Sequence, residues 1–414
     1  MTDALHPFSY REFRFYWFAR LCSTIAQSAL VVVIGWQVYI VARLTLGPRE
    51  SALQLGIVGL VQFLPLFVLT LVTGWTADRV DRRLLARLCI VLQILCAGSL
   101  AWFSYSGQVS LGALFSVAAL LGVARAFHQP AVAALGPNLV PPEVLPRAIA
   151  TNSIAGRAGQ IAGPPLGGYL FAVGAQTPYA ASAALLGVSL LCMLMIRPIE
   201  RTTMDRARAP WRQMVEGLQY VMRNRLVLGA ISLDLFAVLL GGATAMLPVY
   251  ARDILNVGSE GLGHLRGAVA LGALATALWF SLRPLRRGAG MKMLAAVGTF
   301  GVATIVFGLS RWMPLSLAAL VVCGGADMLS VYVRQSLIQL STPNEMRGRV
   351  GAVSTLFVSA SNELGEAESG FLAALVGPTA AVVGGGVGAI GVTLLWAKLF
   401  PALRLARDLR PPTR

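Results

Sequence analysis

The chain has 414 residues, of which 56% are hydrophobic and only 13% charged, and its mean hydropathy is +0.70. A soluble domain carries about 25% charged residues, so this composition excludes an ordinary soluble fold and suits a chain whose solvent is mostly lipid. The formal net charge of +16 would point a soluble chain towards nucleic acid. Here the charges fall in short gaps between apolar runs, and on alternate gaps only, so no nucleic-acid partner is expected.

Crossing the hydrocarbon core takes about 20 apolar residues in a helix, and twelve runs reach that length. The first, 13–41, is too long for a signal-peptide core and has no small-residue cleavage site, so it is expected to remain as a span. Five more follow at 53–77, 85–106, 111–136, 148–172 and 178–197. The second set runs 226–250, 261–283, 290–310, 313–338, 349–374 and 378–401. Gaps as short as Ser106–Ser110 and Val376–Thr379 force antiparallel neighbours.

One long polar interruption, 198–225, separates the two sets. Within it Trp211, Met214, Val215, Leu218, Val221 and Met222 recur at helical spacing beside Arg212, Arg223 and Arg225, the pattern of an amphipathic helix at a membrane surface. The expected organisation is therefore an all-α polytopic membrane protein with three parts. These are a six-helix bundle over 1–197, a cytoplasmic linker over 198–225, and a six-helix bundle with a tail over 226–414.

Orientation follows from the basic residues. With the N-terminus inside, about 25 of the 34 Lys and Arg lie on the cytoplasmic side. Arg20, Arg125, Arg157 and Arg334 are counted within spans, and Arg43, Arg49, Arg252, Arg266 and Arg311 on the outer side of the membrane. Both termini are expected in the cytoplasm of a bacterial inner membrane. That bias also accounts for the net charge without any anionic partner.

The halves resemble each other. A shift of 202 positions aligns Pro141 with Pro343, Glu143 with Glu345, Arg147 with Arg349, Gly163 with Gly365 and Gly168 with Gly370. Internal duplication is a mark of secondary transporters. The five cysteines, Cys22, Cys89, Cys96, Cys192 and Cys323, all sit in apolar segments without CxxC or metal-like spacing and read as packing residues. There is no Gly-rich phosphate loop, no HExxH and no GxSxG, and the three histidines are scattered. Neither an enzyme nor an ATP-driven pump is expected, and no cofactor or metal.

The gap after the second span reads Gly74-Trp-Thr-Ala-Asp78-Arg79-Val-Asp81-Arg82-Arg83. The fifth span carries Gly159-Gln-Ile-Ala-Gly163-Pro164-Pro165-Leu-Gly167-Gly168. The first resembles the signature gate loop of the major facilitator superfamily, and the second its antiporter motif, GxxxGPxxGG. Asp81 stands where that superfamily usually has glycine, a variant similar to its secretion-effector branch, whose members include exporters of enterobactin and macrolides. The segment Pro343-Asn-Glu-Met-Arg347-Gly348-Arg349-Val350 is similar to that branch too. The resemblance covers nearly the whole chain. It implies two pseudo-symmetric six-helix bundles around a midplane site, alternating access, a monomer, and export of a small molecule. A siderophore, a drug or a lysophospholipid all remain open as cargo, as does a transporter-like sensor that moves nothing. Small residues at such spacing also occur in any close helix crossing, and Pro164 removes a backbone hydrogen bond.

Five of the 18 acidic residues fall inside spans: Asp234, Asp327, Glu363, Glu366 and Glu368. One charge at a helix centre costs about 2.5–3.5 kcal/mol when nothing compensates it. Together they would cost on the order of 10 kcal/mol, as much as a domain's net stability. They must therefore be paired, protonated, or turned towards protein or water. Glu363 and Glu366 share a face with Ser359 and Gly370, whereas Glu368 is turned about 140° from Glu363 and suits packing. The cations inside the first six spans are Arg20, Arg125 and Arg157, and the 202 shift sets Arg125 on Asp327. Such groups suit a gate or a proton site, since a carboxyl withdrawn from water holds its proton more readily. They equally suit fixed pairs, for example with Arg334. The expected proton-coupling or substrate residues are Asp234, Asp327, Glu363, Glu366, Arg20, Arg125 and Arg157. In the fourth span Arg125, His128 and Gln129 share a face, and His128 reads either as a proton carrier or as a histidine satisfied by a neighbour.

Overall fold

The computed structural model describes residues 6–79, 81–197, 210–283, 288–343 and 345–405, the side chains of 70–79, 210–213 and 243 excepted. Helices account for nearly all of it, and no strand occurs among the described residues. The first six long helices are α1 (Arg11–Ala42), α2 (Pro48–Arg79), α3 (Arg82–Ser106), α4 (Leu111–Leu135), α5 (Leu145–Val173) and α6 (Thr177–Leu194). Local chemistry sets their ends. Asp81 caps α3 by accepting from the Arg83 amide at 2.9 Å, and α3 stops at Gly107, whose φ of 69° favours glycine. The Ser110 hydroxyl caps α4 by accepting from the Ala113 amide.

The linker forms α7 (Pro210–Arg223), followed by α8 (Arg225–Leu240), which Asn224 caps. The seventh apolar run is not one smooth helix. At Gly241–Gly242 it breaks, a common site for a kink. It continues as a 3₁₀ turn (Ala243–Met246), the short α9 (Leu247–Val249) and a π turn (Tyr250–Ile254). Then come α10 (Gly258–Leu282), α11 (Ala289–Leu309), α12 (Met313–Ser341), α13 (Arg347–Val376) and α14 (Pro378–Leu399). The repeat is visible in the boundaries. Moving Leu111 and Leu145, the first residues of α4 and α5, by 202 positions lands on Met313 and Arg347, the first residues of α12 and α13.

Among the described residues, ten helical stretches are long and apolar enough to cross a membrane. The two long helices outside that set are α5 and α13, at 29 and 30 residues. Their length suffices, but α5 carries two arginines in a Gly- and Pro-rich stretch, and α13 carries two arginines and three glutamates. The most polar spans are thus equivalent members of the repeat. The chain is a multi-pass membrane protein.

Two compact units emerge from the packing. The first takes Met1–Thr45, Val61–Arg206 and Gly258–Gly263, and the second takes Leu46–Leu60, Ala207–Val257 and His264–Arg414. In the first, α1 packs on α5 and α6, and α3 on α4 and α6. Buried polar ties cross it: the Tyr179 hydroxyl donates to Gln37 at 2.5 Å, and Gln37 donates to Ser104 at 3.0 Å. Arg82 donates to the Ala134 carbonyl at 3.2 Å and Arg87 to that of Met193 at 2.8 Å, placing cations at the C-terminal ends of α4 and α6 where the helix dipole favours them.

In the second unit α11 packs on α12 and α14, and α8 on α12, α13 and α14. Leu233, Ala237, Met293, Val297, Val333 and Leu337 are buried at its centre. The amphipathic α7 does more than lie on a surface. Val221 is buried in a cluster with Val227, Ile231, Ile338, Val350 and Val353. Glu216 accepts from Arg349 at 2.5 Å, and the Tyr220 hydroxyl donates to the Ser341 carbonyl at 2.7 Å. In the same unit Gly56 meets α13 backbone to backbone, since a Cβ there would stand 2.9 Å from the Ala367 carbonyl oxygen.

Candidate functional site

The second unit holds the most deeply buried charges. Asp234 on α8 and Arg334 on α12 are 4% and 3% exposed and form a hydrogen-bonded ion pair. Helical spacing puts Asp327, Ser330 and Arg334 on one stripe of α12, at intervals of three and four. Against that stripe lies a cavity of about 20 Å³, lined by Asp234, Asp327 and Ser330 together with Ala237, Val297 and Phe300. It has room for one water. The Ser330 hydroxyl is buried and without a protein partner, as is Arg334 Nε. Asp327 is exposed, so one rim of the cavity is an accessible carboxylate and the other a buried one.

A second charged contact joins α10 to α13. Arg266 donates to the Thr244 carbonyl at 3.1 Å and lies within electrostatic reach of Glu366. Arg266, counted above among the outer-side arginines, sits in the third turn of α10. Glu363 and Glu366 do share a face, as their spacing requires. That face meets α2, where a Cβ on Gly59 would stand 3.5 Å from Glu366 Cβ. Both glutamates are half-buried. Glu368 points elsewhere, with one buried carboxylate oxygen lacking a partner.

In the first unit the cations are more dispersed. Arg20 and Arg125 are half-buried, while Arg157 is exposed and reaches Gln160 at 3.5 Å. The glycines of the fifth span form a close seam. A Cβ on Gly159 would stand 2.7 Å from Thr24 Cβ, and one on Gly163 2.6 Å from the Ile25 carbonyl oxygen. Gly167 faces Ala29 and Val33 on the same helix, α1, whereas Gly168 faces Gly263. Pro164 lies within α5, which continues past it to Val173. In the loop after α2, Arg82 caps α4, and Asp81 pairs with Arg83 at 2.8 Å, which holds its carboxyl below the usual range. The side chains of Gly74, Asp78 and Arg79 lie outside the described residues, as do those of Trp211 and Arg212.

Ser330 and Arg266 were missed by the sequence reading. The stripe spacing through Asp327 and Arg334 was the available signal for Ser330. Nothing local marked Arg266, whose importance comes from the carboxylate that the fold brings to it.

Long helices duplicated at a fixed interval, with a buried ion pair between two of them, are the pattern of a polytopic transport protein. The pattern of the Major Facilitator Superfamily matches residues 16–366, and the chain belongs to that family. It is a transporter of small molecules and not an enzyme. Over 420 aligned residues it is 29% identical to the Enterobactin exporter EntS of Citrobacter koseri, spanning 98% of this chain and 95% of that one. The Enterobactin exporter EntS of Escherichia coli is 26% identical over 413 residues, with the same coverage. Among solved structures, a D-xylose–proton symporter superposes with a TM-score of 0.74 at 13% identity, over 98% of this chain and 99% of that one. A bacterial homolog of the human lysosomal transporter Spinster, inward-facing and occupied, gives 0.71 at 14%, over 95% and 97%. At such identities these structures establish the fold.

Proposed function

We propose that the chain is a proton-driven antiporter that exports a siderophore- or drug-like organic molecule by alternating access. It works as a monomer in a bacterial inner membrane with both termini in the cytoplasm. The observation that carries this reading is the buried Asp234–Arg334 pair beside a water-sized cavity that also reaches Asp327. A charge pair inside a span is costly to keep without a role. A proton arriving at Asp327 passes through a water lodged at Ser330 to Asp234. Once Asp234 is neutral its hold on Arg334 weakens, and with it one tie between α8 and α12. That couples protonation to helix packing, the ingredient alternating access needs. Glu366 with Arg266 offers a second charge contact to break and remake, Glu363 lies beside it on α13, and Arg20, Arg125 and Arg157 supply cations for cargo.

Export is supported by the named exporters among the relatives and by the glycine seam of α5, which resembles an antiporter motif. The basic gate loop, Gly74, Asp78, Arg79, Asp81, Arg82 and Arg83, would sit at the cytoplasmic surface.

Proteoliposomes holding a pH-sensitive dye test the reading, with enterobactin as siderophore probe and ethidium as drug-like probe. Wild type is expected to move protons against one of these probes under an imposed gradient. Asp234→Asn and Asp327→Asn should lose gradient-driven transport yet keep probe exchange at equal pH. Gradient-driven transport retained in both variants would sink the proton site.

A further inference from the structure

The first unit contains a polar cluster that the proton site does not use. Three helices each contribute a pair one turn apart: Tyr16 and Arg20 on α1, His128 and Val132 on α4, Asn152 and Gly156 on α5. The Tyr16 hydroxyl is saturated, donating to the Val132 carbonyl at 3.0 Å and accepting from Asn152 Nδ2 at 3.2 Å. Arg20 lies against Tyr16 and packs its guanidinium over Gly156, where a Cβ would stand 3.5 Å from Nη2. His128 is within electrostatic reach of Arg20, and one of its ring nitrogens bonds the Ala86 backbone.

What the cluster lacks is specific. Arg20 Nε, Asn152 Oδ1 and His128 Nδ1 are all buried and without partners. His128 is 4% exposed and Tyr16 fully buried, so they form the inner wall, while half-buried Arg20 and Asn152 form the accessible rim. The unmet groups are a cationic donor, an amide acceptor, and a ring nitrogen that accepts when its partner nitrogen donates to a carbonyl. No acidic residue occurs in 13–49, 51–77, 82–142 or 144–197, so these stretches of the first half offer Arg20 no carboxylate. An unmet buried polar atom costs about 1–3 kcal/mol, and three together ask for a ligand.

We propose that this cluster is a cargo subsite for a hydroxy acid, a group that sets an anionic oxygen beside a hydroxyl. The anion takes the Arg20 guanidinium, and the hydroxyl donates to Asn152 Oδ1 at the accessible rim. The assignment rests on the transport reading for its role but not for its test, which needs no gradient.

Purified full-length protein in detergent is melted with three matched probes: mandelate, phenylacetate, which lacks the hydroxyl, and phenylacetamide, which lacks hydroxyl and charge. Mandelate is expected to raise the melting temperature saturably, phenylacetate to need at least tenfold more, and phenylacetamide to have no effect. Arg20→Gln should abolish the mandelate response and Asn152→Ala should erase its advantage over phenylacetate, while Lys292→Gln, exposed on the second unit, leaves both intact. Because Arg20→Gln could fail to fold, Arg20→Lys is the companion, expected to bind with reduced affinity. No saturable effect on wild type, equal responses to mandelate and phenylacetamide, or an unchanged mandelate curve in Arg20→Gln would each overturn the assignment and leave water as the occupant. Mandelate binding with no proton-coupled transport would instead overturn the transport reading and leave the subsite standing.

Discussion

Asp234 and Arg334, one hundred residues apart in the chain, form an ion pair that water scarcely reaches. Removing one partner leaves a lone charge in a low-dielectric core, whereas replacing both leaves none. Asp234→Asn is therefore expected to destabilise the protein by about 3–5 kcal/mol. The double variant Asp234→Asn/Arg334→Met should recover most of that. Thermal unfolding in detergent measures both, and a double variant as unstable as the single one would show that the pair does not govern stability here.

Ser330 distinguishes the proposed relay from the scaffold. Its hydroxyl bonds no protein group, so Ser330→Ala should leave the melting temperature nearly unchanged. If a water at Ser330 carries the proton from Asp327 to Asp234, that substitution should slow proton flux by about a hundredfold, the lower end of what a positioned proton-transfer group contributes. Ser330→Thr keeps the hydroxyl and should retain most of the flux. Dye-loaded proteoliposomes give the rate, and wild-type flux in Ser330→Ala would remove the relay.

Much of this was legible in the sequence, for physical reasons. Spans show because lipid demands long apolar runs, and the repeat shows because its members keep their lengths. The 202 shift maps Arg125, His128 and Val132 onto Asp327, Ser330 and Arg334, so the polar stripes of α4 and α12 occupy equivalent places with different chemistry. The break at Gly241–Gly242 stayed hidden because glycine is common throughout these spans. Which acid meets which cation was not readable either. Asp234 with Arg334 and Glu366 with Arg266 are decided by helix packing over about a hundred residues, where periodicity carries no information.

The α1–α5 seam leaves no space for side chains at its centre. A Cβ on Gly163 would stand 2.6 Å from the Ile25 carbonyl oxygen and 2.7 Å from Ser28 Cβ, so the helices must part to admit one. Gly163→Ala is expected to cost about 1–3 kcal/mol, the usual range for overpacking. Gly187→Ala, on α6 where nothing lies within 4 Å, should cost nothing measurable. Comparing their melting temperatures isolates packing from helix propensity, which alanine improves at both positions.

Asp81 combines two roles that pH can separate. It caps α3 and pairs with Arg83 at 2.8 Å, and the pairing lowers its carboxyl pKa. A carboxyl depressed in the folded state adds stability above its unfolded pKa, about 3.9, and loses it as pH falls through the lower folded value. The side chain is 42% exposed, so the pair is worth less than about 1 kcal/mol, and salt weakens it further. Asparagine caps as well as aspartate, whereas alanine forfeits about 1 kcal/mol. Asp81→Asn should therefore melt slightly below wild type at pH 7, with the gap closing below about pH 4. Asp81→Ala should remain lower across the whole range. If the residue acts only as cap and local ion pair, Asp81→Asn transports at the wild-type rate. A lost transport rate with an unchanged melting temperature would instead place the Asp81 charge in the gate.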